Sequence, residues 1–229
     1  MNSYKFLKLQ FALFLKDEIK LRPDKLSVEI TEFTGNIFDG LPIIVPVIDI
    51  PNLPETLYLQ LRSDKKDLTC NFSKSRIDLI YEPESSNFSL DFFEHEKRIG
   101  LIIGKLFNFV MKHVSVKRLG LVNDYFITDD NPTIFLRDKY IKKNIEGLNN
   151  IALRFEQKVK NESDMIFNII TSIDSAVTVR GVSGNGFFLQ KDVNTAKEVD
   201  YVFDEKRLND FMNFAAVYFS FSDIEKFLT

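Results

Sequence analysis

"VKRLGLVNDYFIT", Val116 to Thr128, reads as a β-strand, and it decides the fold because the pattern that began at Tyr4 starts again here. "YKFLKL" begins at Tyr4 and "VKRLGL" at Val116, an offset of 112. "EKRI" begins at Glu96 and "EKRL" at Glu205, an offset of 109, and "LYLQLR" at Leu57 stands against "IFNIIT" at Ile166, again 109. A near-constant offset across three elements predicts an internal duplication. The chain is expected to be α+β, with two similar β-rich units, each followed by a long helix, forming a mainly antiparallel sheet packed on helices. The units would be residues 1–115 and 116–229, as two domains or one continuous domain. The competing reading of the same letters is one ordinary α+β domain whose amphipathic segments resemble each other by chance.

In the first half, Tyr4 to Leu15 reads as a strand: Leu7, Leu9, Phe11, Leu13 and Leu15 fall on one parity, Phe6 and Lys8 on the other. "KLSVEITEF", Lys25 to Phe33, alternates Leu26, Val28 and Ile30 with polar residues and is expected to be a second strand. Pro42, Pro46, Pro51 and Pro54 then exclude a regular helix or central strand. This segment is too apolar to be a free linker. Its residues Ile43, Ile44, Val45, Val47 and Ile48 are therefore candidate partner contacts. Thr56–Arg62 and Leu68–Glu82 read as a hairpin around the polar turn "SDKKD". Ser89 is a candidate N-cap of a helix from Leu90 to about Val114, whose stripe is Ile99, Ile102, Ile103, Leu106, Phe107 and Val110.

After Val116–Thr128 come a turn and short helix in "DDNPTIFLRDKYIKKN", then strands at Asn150–Lys160 and Asp164–Ile173. The stretch "RGVSGNGFFLQKD", Arg180 to Asp192, has three glycines but no P-loop Lys-[Ser/Thr], and it leads into the strand-like "FFLQ" rather than a helix. Asn185-Gly186 is expected to turn a hairpin instead. A final helix opens near Asp204, with Leu208, Phe211, Met212, Ala215 and Phe219 on one stripe, and "SDIE" at Ser222–Glu225 reads as a capping box where it breaks and restarts.

With Arg118, Gly120 and Leu121 in its central strand, the layout resembles a sporadically distributed prokaryotic family of similar length that has no established activity. The resemblance implies two β-rich halves, each closed by a helix, and carries no mechanism.

Composition removes several function classes. A net charge of −3 argues against a uniformly basic nucleic-acid binder. The single cysteine, Cys70, excludes an intrachain disulfide and a cysteine-rich zinc site, and it reads as a small core residue. With one cysteine, two histidines and no G-x-S-x-G, the sequence argues against an acyl-transfer site. His95 is expected at the surface or in the first turn of its helix, and His113 in the last turn. The longest charge-free run near the start, Leu9–Leu15, is far short of the ~20 residues of a spanning helix. The expectation is therefore a cytoplasmic protein with no membrane contact.

Asp124, Asp129 and Asp130 are the candidate metal ligands, against a reading as a turn and helix cap before Pro132. Arg137, Lys139, Tyr140, Lys142 and Lys143 form the nearest approach to a nucleic-acid patch, against a solvated helix face. No cofactor is implied. The 23 Phe residues beside no Trp point to a filled core with apolar surface left for a partner or a second copy of the chain. The leading expectation is a non-catalytic binding or assembly protein of a prokaryotic accessory system, in host defence or toxin–antitoxin pairing. A metal-dependent enzyme on nucleic acid or nucleotides, and a small-molecule sensor, are the alternatives.

Overall fold

The computed structural model describes residues 4–45, 56–175, 179, 182 and 184–228. In chain order the elements are β1 (Tyr4–Leu15), α1 (Pro23–Thr34), β2 (Ile43–Ile44), β3 (Leu57–Arg62), β4 (Leu68–Ser73), β5 (Arg76–Tyr81) and α2 (Phe92–His113). The second half supplies β6 (Val116–Thr128), α3 (Pro132–Leu136), β7 (Ala152–Lys160), β8 (Ile166–Asp174), β9 (Gly186–Thr195), α4 (Glu205–Phe219) and α5 (Phe221–Leu228). One nine-stranded sheet runs β2-β3-β4-β5-β1-β6-β9-β8-β7, antiparallel throughout. The fold is α+β, with a large antiparallel sheet and, among the described residues, five α-helices.

β1 and β6 pair at the centre, and from edge to centre β3-β4-β5-β1 is matched by β7-β8-β9-β6. This matching sets β3 against β7. The offset drawn from Leu57 and Ile166 therefore compares β3 with β8, strands in different sheet positions.

The long strands follow the alternation of their sequence except at register shifts, one of which is instructive. A register shift between Phe6 and Lys8 in β1 inserts an extra residue. It brings Phe6, of the opposite parity, onto the same face as Leu9, Phe11, Leu13 and Leu15, all buried. Phe6 there meets Tyr125 edge-on at 5.6 Å and stacks on His95 at 4.1 Å. His95 does lie in the first turn of α2, but as a core residue, 1% exposed, rather than at the surface.

Lys25–Phe33 is not a strand but most of α1. Pro23 opens this helix, and Gly35, at φ +83°, closes it with its N–H donating to Glu32 and that of Asn36 to Thr31. Leu26 and Ile30 are buried four residues apart, whereas Val28 is exposed. Helical spacing thus overrides the apparent alternation. Leu68–Glu82 is likewise two strands, β4 and β5, folded back at Lys74–Ser75, with the Ser73 hydroxyl donating to the Arg76 carbonyl. Asp91, not Ser89, caps α2 by accepting from the Phe92 N–H at 2.7 Å. The α2 stripe is buried as expected, as is that of α4.

β8 and β9 do form a hairpin, but Asn185-Gly186 is not its turn. The connection spans residues 175–185, Gly184 among its described residues has a positive φ, and Gly186 is the first residue of β9. A Cβ on Gly186 would lie 2.2 Å from the Ile127 carbonyl and 2.6 Å from the Phe126 ring, so close approach requires this glycine. The break after α4 falls at Ser220, whose hydroxyl accepts from the Asp223 N–H, two residues before the expected Ser222.

Every helix lies behind the same face of the sheet. Phe135 of α3 stacks on Phe187, Phe211 of α4 packs on Phe11 and Phe167, and Phe221 of α5 meets Tyr4 and Tyr125. Phe33 of α1 packs on Phe109 of α2. Asp91 also accepts from the Phe221 N–H, and the Tyr125 hydroxyl donates to the Phe219 carbonyl, so the start of α2, the α4–α5 junction and the central strand meet at one point. Among the described residues, no helix is long and apolar enough to cross a membrane.

Candidate functional site

No described helix covers the opposite face, so its side chains must satisfy one another or water. Register places Gln10, Ala12 and Phe14 of β1 beside Arg76, Asp78 and Ile80 of β5 on one side, and Arg118, Gly120 and Val122 of β6 on the other. Asp192 and Asn194 of β9 follow, then Asn168 and Ile170 of β8 and Arg154 and Glu156 of β7. Most of these positions would read as ordinary solvent-facing alternates of amphipathic strands. Folding turns them into one surface.

The polar groups are interlocked laterally. Asp78 accepts from Arg76 at 2.7 Å and from Gln10 at 2.9 Å. The Phe14 ring lies between two guanidiniums, Arg118 at 3.9 Å and Arg76 at 5.0 Å. The small residues Ala12 and Gly120 form the floor beneath, and a Cβ on Gly120 would stand 3.7 Å from Phe14. Asn168 donates to Asn194, which donates to Asp192. Burial pushes the Asp192 carboxyl above the ordinary aspartate range, while the Asn194 hydrogen bond and the charges of Arg118, Arg154 and Arg76 pull it back. Gln60 and Asn71 pair at 2.7 Å farther out.

Asp124 belongs to this face. It is 6% exposed, accepts from Lys8 at 2.5 Å and is held by Gln190 at 2.8 Å. Asp129 lies in the turn after β6, where its carboxylate accepts from the Asn131 N–H, and Asp130 is exposed beside it. Five residues of strand put Asp124 roughly 16 Å from Asp129, so the three carboxylates are not brought together. Among the described residues, no three His, Cys, Asp or Glu side chains gather as a metal site.

The basic segment folds as α3 and a π-helical turn at Arg137–Ile141. Arg137 pairs with Asp138 at 2.6 Å, and Lys142 and Lys143 are exposed. Tyr140 packs on Phe155 at 5.2 Å, and burial pushes its phenol up to about 12. Of the apolar segment, Ile43 and Ile44 form the edge strand β2 and are about half exposed, and the Val45 N–H donates to Tyr58. Val47 and Ile48 lie outside the described residues. Cys70 is buried, and burial raises its thiol well above the usual range.

Sequence reasoning missed Gln10, Arg76, Asp78, Arg154, Asn168, Asp192 and Asn194. The available signal was their shared parity, which becomes a cluster only once strand order and register are known. No protein-family model matches the chain, and comparison with curated proteins finds no match.

Proposed function

We propose that the protein is a non-catalytic binding module that docks a protein partner on the uncovered face of its sheet. The observation that carries this reading is an interlocked field of both charge signs on the face opposite the described helices. Lys8, Arg62, Arg76, Arg118, Arg154 and Lys158 share it with Asp78, Asp124, Glu156, Asp174 and Asp192. A phosphate backbone would select a surface of one sign, whereas a protein partner is matched by interspersed charges. Nine strands about 4.8 Å apart, about eight residues long on average, give a face of roughly 1,200 Å², somewhat more than one partner's share of a standard interface.

The edge-to-centre correspondence of the two sets of strands supports reading the chain as a duplicated unit, so that the face is built from two related halves. A buried lone thiol fits a reducing compartment, and we place the protein in the cytoplasm. Affinity capture with the full chain from its own cells tests the docking surface. Arg76→Glu with Arg118→Glu is expected to abolish capture that Lys142→Glu with Lys143→Glu leaves intact. Capture indifferent to the first pair, or salt-sensitive retention of DNA or RNA instead of protein, would overturn the reading.

A further inference from the structure

On the helix-covered face, the register lines up Phe155, Thr171, Lys191 and Asn123 across β7, β8, β9 and β6. The other core-facing positions of β9, Phe187, Leu189 and Val193, are apolar and fully buried. A lysine 2% exposed in that company is anomalous, because burying an ammonium is costly without a partner. Asp223 of α5 supplies one, as a close ion pair with the Lys191 Nζ. A buried pair is seldom more stable than apolar packing of the same volume, so stability alone does not account for it.

A cavity of about 450 Å³ opens over this pair, between the β7–β8 edge and α4–α5. That volume lies in the range of small-ligand sites, ~300–1,000 Å³. Its walls include Phe155, Ile169 and Tyr218, with Lys226 toward the rim. Thr171 is 5% exposed and lines the cavity, and among the described residues no hydrogen bond engages its hydroxyl. At the far end of the row, outside the cavity lining, the buried Asn123 Oδ1 also has no hydrogen-bond partner among the described residues. It is at Thr171 that the polar row is incomplete where it meets the cavity.

We propose that this cavity binds a small organic monocarboxylate. Lys191, Lys226 and the Thr171 hydroxyl hold the carboxylate, and the apolar body lies against Phe155, Ile169 and Tyr218. Charge selects the class. Lys191 and Lys226 against Asp223 leave one net positive charge, because the charge of Glu156, which also lines the cavity, is offset by Arg154 at 3.6 Å. A monoanion neutralises this, whereas a phosphate dianion leaves a negative charge in a poorly solvated site. The cavity lies behind the sheet from the proposed docking face, so either assignment can fail without the other.

Calorimetry and ligand-observed NMR on the full chain, with benzoate, benzamide and phenyl phosphate as probes, test this. Benzoate is expected to bind with a Kd of about 1 mM or tighter, benzamide at least about tenfold more weakly, and phenyl phosphate more weakly than benzoate. Lys191→Met should abolish binding, but it strands Asp223 and can compromise folding. Thr171→Val keeps shape and strand preference and is expected to weaken benzoate about fivefold, with Lys226→Gln costing about threefold. Equal binding of benzamide, preference for phenyl phosphate, or an unchanged affinity in Thr171→Val would each overturn the proposal.

Discussion

The two faces of the sheet are made by the same strands, from alternate residues, yet they handle polarity in opposite ways. On the covered face two buried polar side chains are met by groups that the helices bring down to them. The Tyr125 hydroxyl donates to the Phe219 carbonyl at the end of α4, and Lys191 pairs with Asp223 of α5. On the uncovered face the polar groups are satisfied sideways, as in Arg76–Asp78–Gln10 and Asn168–Asn194–Asp192. Polar contacts on the first face fasten layers together. Those on the second hold a surface in a set shape before anything binds to it.

The contrast is sharpest in two phenylalanines of β1. Phe11, fully buried between the sheet and Phe211, should lose about 3–5 kcal/mol on Phe11→Ala, the usual cost of emptying an aromatic site in a core. Phe14, three residues on and half-buried between Arg76 and Arg118, should lose only about 1–2 kcal/mol, since two partly solvated cation–π contacts and a fraction of the ring's burial are at stake. Urea unfolding of both variants reads the difference, and equal losses would mean that both faces are packed alike.

Next in size is the ion pair that crosses layers. Asp223→Ala takes the ion-pair carboxylate from the buried Lys191 ammonium, at a cost of about 3 kcal/mol. Lys191→Met combined with Asp223→Leu should recover most of it, because apolar packing replaces both charges. If the double variant were as weak as the single one, the pair would contribute more to folding than apolar packing can replace.

How much of this was legible beforehand depends on the range of the interactions. The stripes of α2 and α4, from Ile99 to Val110 and from Leu208 to Phe219, are local and were readable from spacing alone. Lys25–Phe33 misled because Leu26, Val28 and Ile30 satisfy a period of two, while Pro23 and Gly35, the residues that set a helix there, lie just outside the window. His95 misled for a different reason. Its neighbours Glu94 and Glu96 look solvated, but a bulge ninety residues earlier turns Phe6 toward its ring. The uncovered face was least visible, since Arg118 and Asp192 meet only through the pairing of β6 with β9.

His95 also gives the covered face a pH signature. Burial holds its imidazole down at about 4, against an ordinary 6.5. The unfolded chain therefore binds a proton through this interval that the folded chain refuses. The stability contributed by neutral His95 is complete above pH 6.5 and falls as pH drops toward 4. The loss should reach about 2 kcal/mol by pH 5. His95→Gln should flatten that part of the curve, and parallel stability curves for the two proteins between pH 7 and 4.5 would sink the assignment.

The smallest stability effect carries the largest functional contrast. Arg118→Ala removes a guanidinium stacked on Phe14 and one of three positive charges acting on Asp192, all on the uncovered face. Its cost should stay within about 1 kcal/mol, the worth of a partly solvated cation–π contact. The Asp192 carboxyl, relieved of a neighbouring cation, should titrate at higher pH, as side-chain carboxyl NMR can follow. Capture of a partner should nevertheless fall steeply, because a central interface arginine loses far more in binding than in folding. A variant that kept the wild-type partner while losing several kcal/mol of stability would assign Arg118 to holding the sheet together, and the uncovered face would then be a second core rather than a docking surface.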